Sequence, residues 1–78
     1  MLKASGITEQ QWRVLRILSE FGPQDLTEIA SKASLLMPSL SRIIRKLGKD
    51  KLIMRAIDLD DRRRQTVVIE PAGQKIIE

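Results

Sequence analysis

The stretch from Met37 to Ile53 reads MPSLSRIIRKLGKDKLI. It places Arg42, Arg45, Lys46 and Lys49 close together, with Pro38, Ser39 and Ser41 before or among them and no acid between Pro38 and Lys49. Cations without acidic neighbours are suited to binding anions, and arginine adds a planar fork that matches phosphate oxygens and base edges. A second cationic group follows, Arg62, Arg63 and Arg64, directly after Asp61. Cysteine and histidine are both absent. That excludes disulfides, thiol nucleophiles and the usual transition-metal ligands. Acid–base catalysis would have to use Asp, Glu, Lys and Ser alone, and nothing in their spacing groups them. No catalytic residue, metal or cofactor is expected.

The charge distribution narrows the partner. Residues 1–41 carry four basic and four acidic side chains, whereas residues 42–78 carry ten basic and six acidic ones. The whole net charge of +4 therefore lies in the second half. A clustered basic surface suits a polyanion, nucleic acid first and an acidic membrane or protein second. The 78 residues suffice for one small domain, residues 1–78, with a modest core. No apolar run approaches the ~20 residues of a membrane-spanning helix, and no signal-peptide pattern opens the chain. A cytoplasmic location is expected.

The elements that position the cations are marked by capping and periodicity. TEQQWRVLRILSEFGP predicts a first helix, with Thr8 as N-cap, Gln11 as its capping-box partner and Gly22-Pro23 as the stop. Leu15, Leu18 and Phe21, with Val14, form its apolar stripe, which Trp12 and Ile17 broaden. Trp12 reads as core or interface, and Arg13 and Arg16 as solvated. DLTEIASKAS predicts a second helix, capped by Asp25 and Glu28, with Leu26, Ile29, Ala30 and Ala33 on one face. The third helix is placed at 38–50, with Pro38 in its first position. Leu40, Ile43, Ile44 and Leu47 must face the core, which leaves Arg42, Arg45 and Lys49 opposite. LIMRAI and QTVVIE are β-prone runs joined by the polar loop DLDDRRR, which makes a hairpin. EPAGQKIIE predicts the start of another helix, expected to find nothing to bury against, as in a piece of a larger assembly.

Three helices, a hairpin and a further helix start is the order of a winged helix-turn-helix, mostly α with a small β-hairpin wing. The second helix would position the third, and the third would offer Arg, Ser and small apolar groups to base edges and phosphates. Periodicity alone fits a solvated basic face equally well. By themselves, Arg62, Arg63 and Arg64 read as a hairpin tip kept soluble, and Asp61 as a turn initiator. An alternative function is a winged-helix interaction module that docks an acidic protein.

The segments LTEIASKASLLMPSLSRIIRKLGKDKLIMR and DLDDRRRQTVVIEPAG resemble the MarR-type bacterial transcriptional regulators, and TEQQWRVLRIL resembles the helix that opens their DNA-binding lobe. Within that family, TEQQWR and PSLS are most similar to regulators of homoprotocatechuate and related aromatic-acid catabolism. The resemblance implies double-stranded DNA binding, with repression expected. The third helix would enter the major groove, and the wing, residues 58–64, would reach the minor groove. With the acid-free face and proline start of the third helix, the resemblance points to Pro38, Ser39, Ser41, Arg42, Arg45, Lys46, Lys49, Arg62, Arg63 and Arg64 for DNA contact, and by itself it implies that Asp61 braces the wing and Arg63 inserts. It further implies a homodimer on a pseudo-palindromic operator and a small aromatic acid effector, both in a longer form. The terminal dimerisation helices of that form are missing from these residues. Two positions depart from the family pattern. Met37 stands where a polar residue is usual, and Glu70 replaces a threonine cap.

Overall fold

A computed structural model describes residues 6–57 and 65–78. The chain runs α1 (Glu9–Phe21), β1 (Gln24–Asp25), α2 (Leu26–Ala33), α3 (Met37–Lys49), β2 (Ile53–Ile57), β3 (Gln65–Ile69) and α4 (Pro71–Ile77). The winged helix-turn-helix order expected from the sequence is present. The loop at 58–64, which carries Asp61, Arg62, Arg63 and Arg64, lies outside the described residues. No helix among the described residues is long and apolar enough to cross a membrane.

Both expected capping boxes form. The Thr8 hydroxyl accepts from the Gln11 amide at 3.1 Å, and the Gln11 side chain accepts from the Thr8 amide at 3.2 Å. Asp25 and Glu28 make the equivalent pair at 2.8 and 3.0 Å. Each box satisfies amides that a helix start would otherwise leave without partners. The end of α2 turns through Ser34 in a left-handed conformation, φ 56°. There the Leu35 amide donates to the Ala30 carbonyl at 3.0 Å. The end of α3 repeats the device, with Lys51 at φ 61° and the Leu52 amide donating to the Leu47 carbonyl at 2.9 Å. Such turns close a helix while fixing the direction of the exiting chain. As a result α3 is held at both ends.

The core is built from Val14, Leu15 and Leu18 of α1, Ile29 of α2, Leu40, Ile43, Ile44 and Leu47 of α3, and Leu52, Ile53 and Val67 around the sheet. The stripe predicted on α3 is the stripe that is buried. Phe21 is a correction. It belongs to the apolar stripe of α1 by spacing, yet it is 58% exposed. It sits in the last helical turn, beyond the edge of the core, and its ring lies 5.1 Å from the Lys32 ammonium group.

The sheet has the order β1-β3-β2, antiparallel throughout. β2 and β3 form the expected hairpin, with Ile53 opposite Ile69 and Ile57 opposite Gln65. The short β1 was not expected. Gln24 and Asp25 pair with Val67 and Thr66, which ties the α1–α2 connection to the sheet.

The last helix also differs from expectation. Rather than finding no partner, α4 packs against α1, with Gly73 buried and Ile76 and Ile77 half-buried against the core. Gly73 makes this approach possible. A Cβ at that position would overlap the Leu52 carbonyl oxygen and meet Ile69 Cγ1 at 3.0 Å and Leu15 Cδ2 at 3.2 Å. The same Leu52 carbonyl accepts from the Glu70 amide at 2.9 Å, so it cannot move freely. Gly73→Ala is therefore expected to destabilise the domain by about 1–3 kcal/mol through overpacking. Ile44→Ala should cost about 2–5 kcal/mol by leaving a cavity. Urea melts of both variants check this, and a Gly73→Ala protein as stable as wild type would show that α4 is not seated as described.

Candidate nucleic-acid interface

The helix that carries the candidate residues begins at Met37, one residue earlier than expected, so Pro38 is its second residue. The difference is chemically small, because the first four amides of a helix have no intrahelical acceptor and a missing N–H there costs nothing. The Leu40 amide makes the first i to i−4 bond, to the Leu36 carbonyl, at 3.0 Å. From there α3 runs to Lys49, and Asp50 caps it.

Sinking Leu40, Ile43, Ile44 and Leu47 into the core presents the other side of the helix to solvent. Pro38, Ser39, Arg42, Arg45, Lys46 and Lys49 are all exposed, and Ser41 is half-buried at the edge of the face. The structure thus brings together the seven α3 residues singled out from the sequence. It does not speak to the four in the 58–64 loop.

The charges on this face are not equivalent. Lys46 Nζ lies 2.9 Å from Asp50 Oδ2, an i,i+4 ion pair with both side chains solvent-accessible. Among the described residues, Arg42, Arg45 and Lys49 have no ion-pair partner. Elsewhere, α1 pairs its own arginines internally, Arg13 with Glu9 at 3.5 Å and Arg16 with Glu20 at 3.7 Å. The arginines of α1 are therefore neutralised locally, as befits a solvated face, whereas those of α3 are left available to an external anion.

Three exposed residues were not singled out from the sequence as candidates. Arg55 is exposed on β2, and its Nη1 donates to Gln65 Oε1 at 3.4 Å. The hairpin was expected from the sequence, but not this side-chain contact across it. Leu36 and Met37 form an exposed apolar pair at the start of α3, 77% and 43% accessible. Their spacing from Leu40 and Ile44 places them on the core stripe, which is why periodicity hides them. They lie beyond the end of the core.

A face of three cations unpaired among the described residues, two serine hydroxyls and an apolar tip can hold phosphates by charge and offer both polar and apolar groups to what lies between them. Comparison with known proteins gives this arrangement its context. The chain is 34% identical over 76 residues to the homoprotocatechuate degradative operon repressor of Escherichia coli, an alignment that spans 97% of this chain and 51% of the relative. It is similar to NadR, solved in complex with 4-hydroxyphenylacetate, with 38% identity, a TM-score of 0.85, and coverage of 90% of this chain and 50% of that one. It is also similar to MepR of Staphylococcus aureus, solved in complex with DNA, with 29% identity, a TM-score of 0.84, and coverage of 91% and 59%. The chain spans about half the length of the curated relatives it matches. Residues 7–64 match the model of the MarR family, and the chain belongs to that family.

Proposed function

We propose that this chain is the DNA-binding lobe of a transcriptional repressor and that it acts on double-stranded DNA without catalysing a reaction. The observation that carries the reading is the α3 face. Arg42, Arg45 and Lys49 stand without ion-pair partners among the described residues, on a helix whose opposite side is locked into the core. In this reading α3 enters the major groove. Arg42 and Arg45 reach base edges or phosphates, Lys46 and Lys49 hold phosphates, and Pro38, Ser39 and Ser41 line the entering end. The loop with Arg62, Arg63 and Arg64 reaches the neighbouring minor groove, and Asp61 holds Arg63 in position. The DNA-bound state of MepR supports the partner.

The remaining parts of the reading concern a longer protein. A full-length form acts as a symmetric homodimer on a pseudo-palindromic operator, with dimerisation helices outside these residues. It responds in the cytoplasm to a small aromatic acid. The similarity to NadR, solved with 4-hydroxyphenylacetate, and to a repressor of homoprotocatechuate degradation supports that effector class.

The direct test is a titration of the chain against duplex DNA at several salt concentrations, with polyglutamate as the competing polyanion. Sequence preference and a steep loss of affinity with salt support DNA recognition. Equal binding to polyglutamate and to unrelated duplexes would favour docking of an acidic protein instead. Arg42→Ala should change stability by no more than about 0.5 kcal/mol, because its side chain is exposed and unpaired. The same substitution should weaken binding by about 1–3 kcal/mol and relax preference at one base position. Lys49→Ala should instead weaken binding to all sequences alike and lower the salt slope by about one.

The loop residues allow a test by sign. Deleting an acid from a DNA-facing loop tightens binding if only charge matters, since one phosphate repulsion is removed. If Asp61 holds Arg63, Asp61→Ala weakens binding, because an unanchored arginine must be ordered on association. Arg63→Ala should lose affinity and also preference for A·T pairs at the half-site flanks, where a narrow minor groove concentrates negative potential. Both variants are titrated with wild type on one duplex at matched salt. Wild-type or tighter binding by Asp61→Ala would reduce the loop to a solvated hairpin tip.

A further inference from the structure

Leu36 departs from local rules in two ways. It is the N-cap of α3, a position that favours Ser, Thr, Asp or Asn, and it makes no side-chain cap hydrogen bond. Both α1 and α2 begin with side-chain caps, Thr8 and Asp25. Leu36 is also 77% exposed, more than Phe21, Met37 or Met54, the other exposed large apolar side chains among the described residues. Met37 stands beside it, 43% exposed. Its neighbour Leu35 is half-buried against the core, and Leu40 is fully buried, so the packing of this turn is complete without Leu36. A position that sacrifices a cap and leaves an isobutyl group in water is the kind of local inconsistency found at functional sites.

The location decides what that group can meet. Leu36 and Met37 lead the helix whose exposed side carries Arg42, Arg45 and Lys49. These cations complement phosphates, so a duplex held by them receives the apolar tip at its base edges. N-terminal residues of such helices are the ones that approach base edges. The major-groove edges present hydrogen-bond donors and acceptors and one apolar group, the C5-methyl of thymine. Leu36 can use neither donors nor acceptors, and the Met37 thioether is only a weak acceptor. We infer that Leu36, with Met37 beside it, is a specificity-determining contact to thymine methyl groups in the major groove. The inference rests on the DNA-binding reading above and adds to it a thymine requirement that the basic residues do not impose.

Deoxyuridine isolates this contact, because it keeps every hydrogen-bonding group of thymine and removes only the methyl. A duplex is first selected from a random-sequence library with the 78-residue protein. Each thymine is then replaced singly by deoxyuridine, and affinity is measured for wild type, Leu36→Ala and Leu36→Ser. At one or two positions wild type should bind the uracil duplex about three- to fivefold more weakly, the effect of leaving one methyl unburied. Leu36→Ala should bind the thymine duplex as weakly as wild type binds the uracil duplex, with no further loss on replacement. Leu36→Ser should show the same loss of discrimination while melting a few degrees higher than wild type, because it restores the cap. That combination separates a contact with DNA from a structural role, which would lower the melting temperature instead.

Uniform tolerance of deoxyuridine by wild type overturns the methyl contact and leaves DNA binding intact. Retention of the discrimination by Leu36→Ala and Leu36→Ser does the same. Failure to select any duplex overturns the DNA-binding reading and this inference together. Weakened self-association of Leu36→Ser, with thymine discrimination unchanged, would assign the apolar tip to a contact between copies of the chain and overturn the inference.

Discussion

The buried stripe of α3 is the constraint on which the rest depends. An α-helix advances about 100° per residue, so fixing Leu40, Ile43, Ile44 and Leu47 in the core leaves no freedom in where Arg42, Arg45 and Lys49 point. These four side chains are between 0 and 7% exposed. Rotating the helix to hide a cation would expose this stripe and bury a charge, and both changes are unfavourable. The cationic face is thus a consequence of core packing. The left-handed turns at Ser34 and Lys51 add direction to that rotation, because each fixes the path of the chain as it leaves a helix. A residue with a Cβ is strained in that conformation, so two such turns on either side of α3 indicate that tertiary packing sets the geometry there.

The sheet transmits this order to the rest of the chain. β3 is its centre, paired with β2 on one edge and with the two residues of β1 on the other. Val67 is fully buried and lies opposite both Gln24 and Arg55. Gln24 is itself buried, and its Nε2 donates to the Ile17 and Gly22 carbonyls, each at 3.4 Å. A polar side chain thereby ties the end of α1 to the sheet, at the cost of a buried Oε1 that has no hydrogen-bond partner among the described residues. The Leu52 carbonyl connects the other end. It accepts from Glu70 and lies against Gly73, so the exit of α3, the end of β3 and the start of α4 meet at one peptide group.

Helices and their faces were largely legible in the sequence because each carries its own local signature. Thr8 with Gln11 and Asp25 with Glu28 announce helix starts through contacts three residues apart, and those contacts form. The hairpin was legible from two β-prone runs around a polar loop. β1 was not, since two residues offer no periodicity and their pairing with Thr66 and Val67 spans more than forty positions of sequence. Phe21 and the pair Leu36–Met37 mislead for a related reason. Periodicity tells which side of a helix an apolar residue occupies and not where along the axis the core ends. The seating of α4 was illegible because it turns on an absent Cβ at Gly73, a fit visible only once Leu15, Leu52 and Ile69 are in place. The seven candidate residues on α3 were legible as a face. The state of Lys46 was not, because it depends on Asp50 just past the end of the helix.

That pair divides the α3 face along its length. Asp50 sits at the C-terminal end of the helix, where the partial negative charge of the backbone makes a carboxylate unfavourable. Lys46 lies one turn earlier and offsets it at 2.9 Å. The order of the two, base before acid, is the weaker arrangement for a helix, and both groups are open to water, so the pair holds by well under about 1 kcal/mol. A phosphate oxygen can take Lys46 from Asp50 at little cost, but the freed carboxylate then repels the same phosphate. At Lys46 the face can therefore meet a polyanion without gripping it tightly, whereas Lys49 at the same end has no ion-pair partner among the described residues. The N-terminal half has no such brake. The first turn of α3 holds no acid, Arg42 has no ion-pair partner among the described residues, and Leu36 and Met37 stand at the start of the helix. Charge balance along a single helix thus restrains one cation near its C-terminal end and leaves Arg42 and the exposed apolar pair unrestrained at the other.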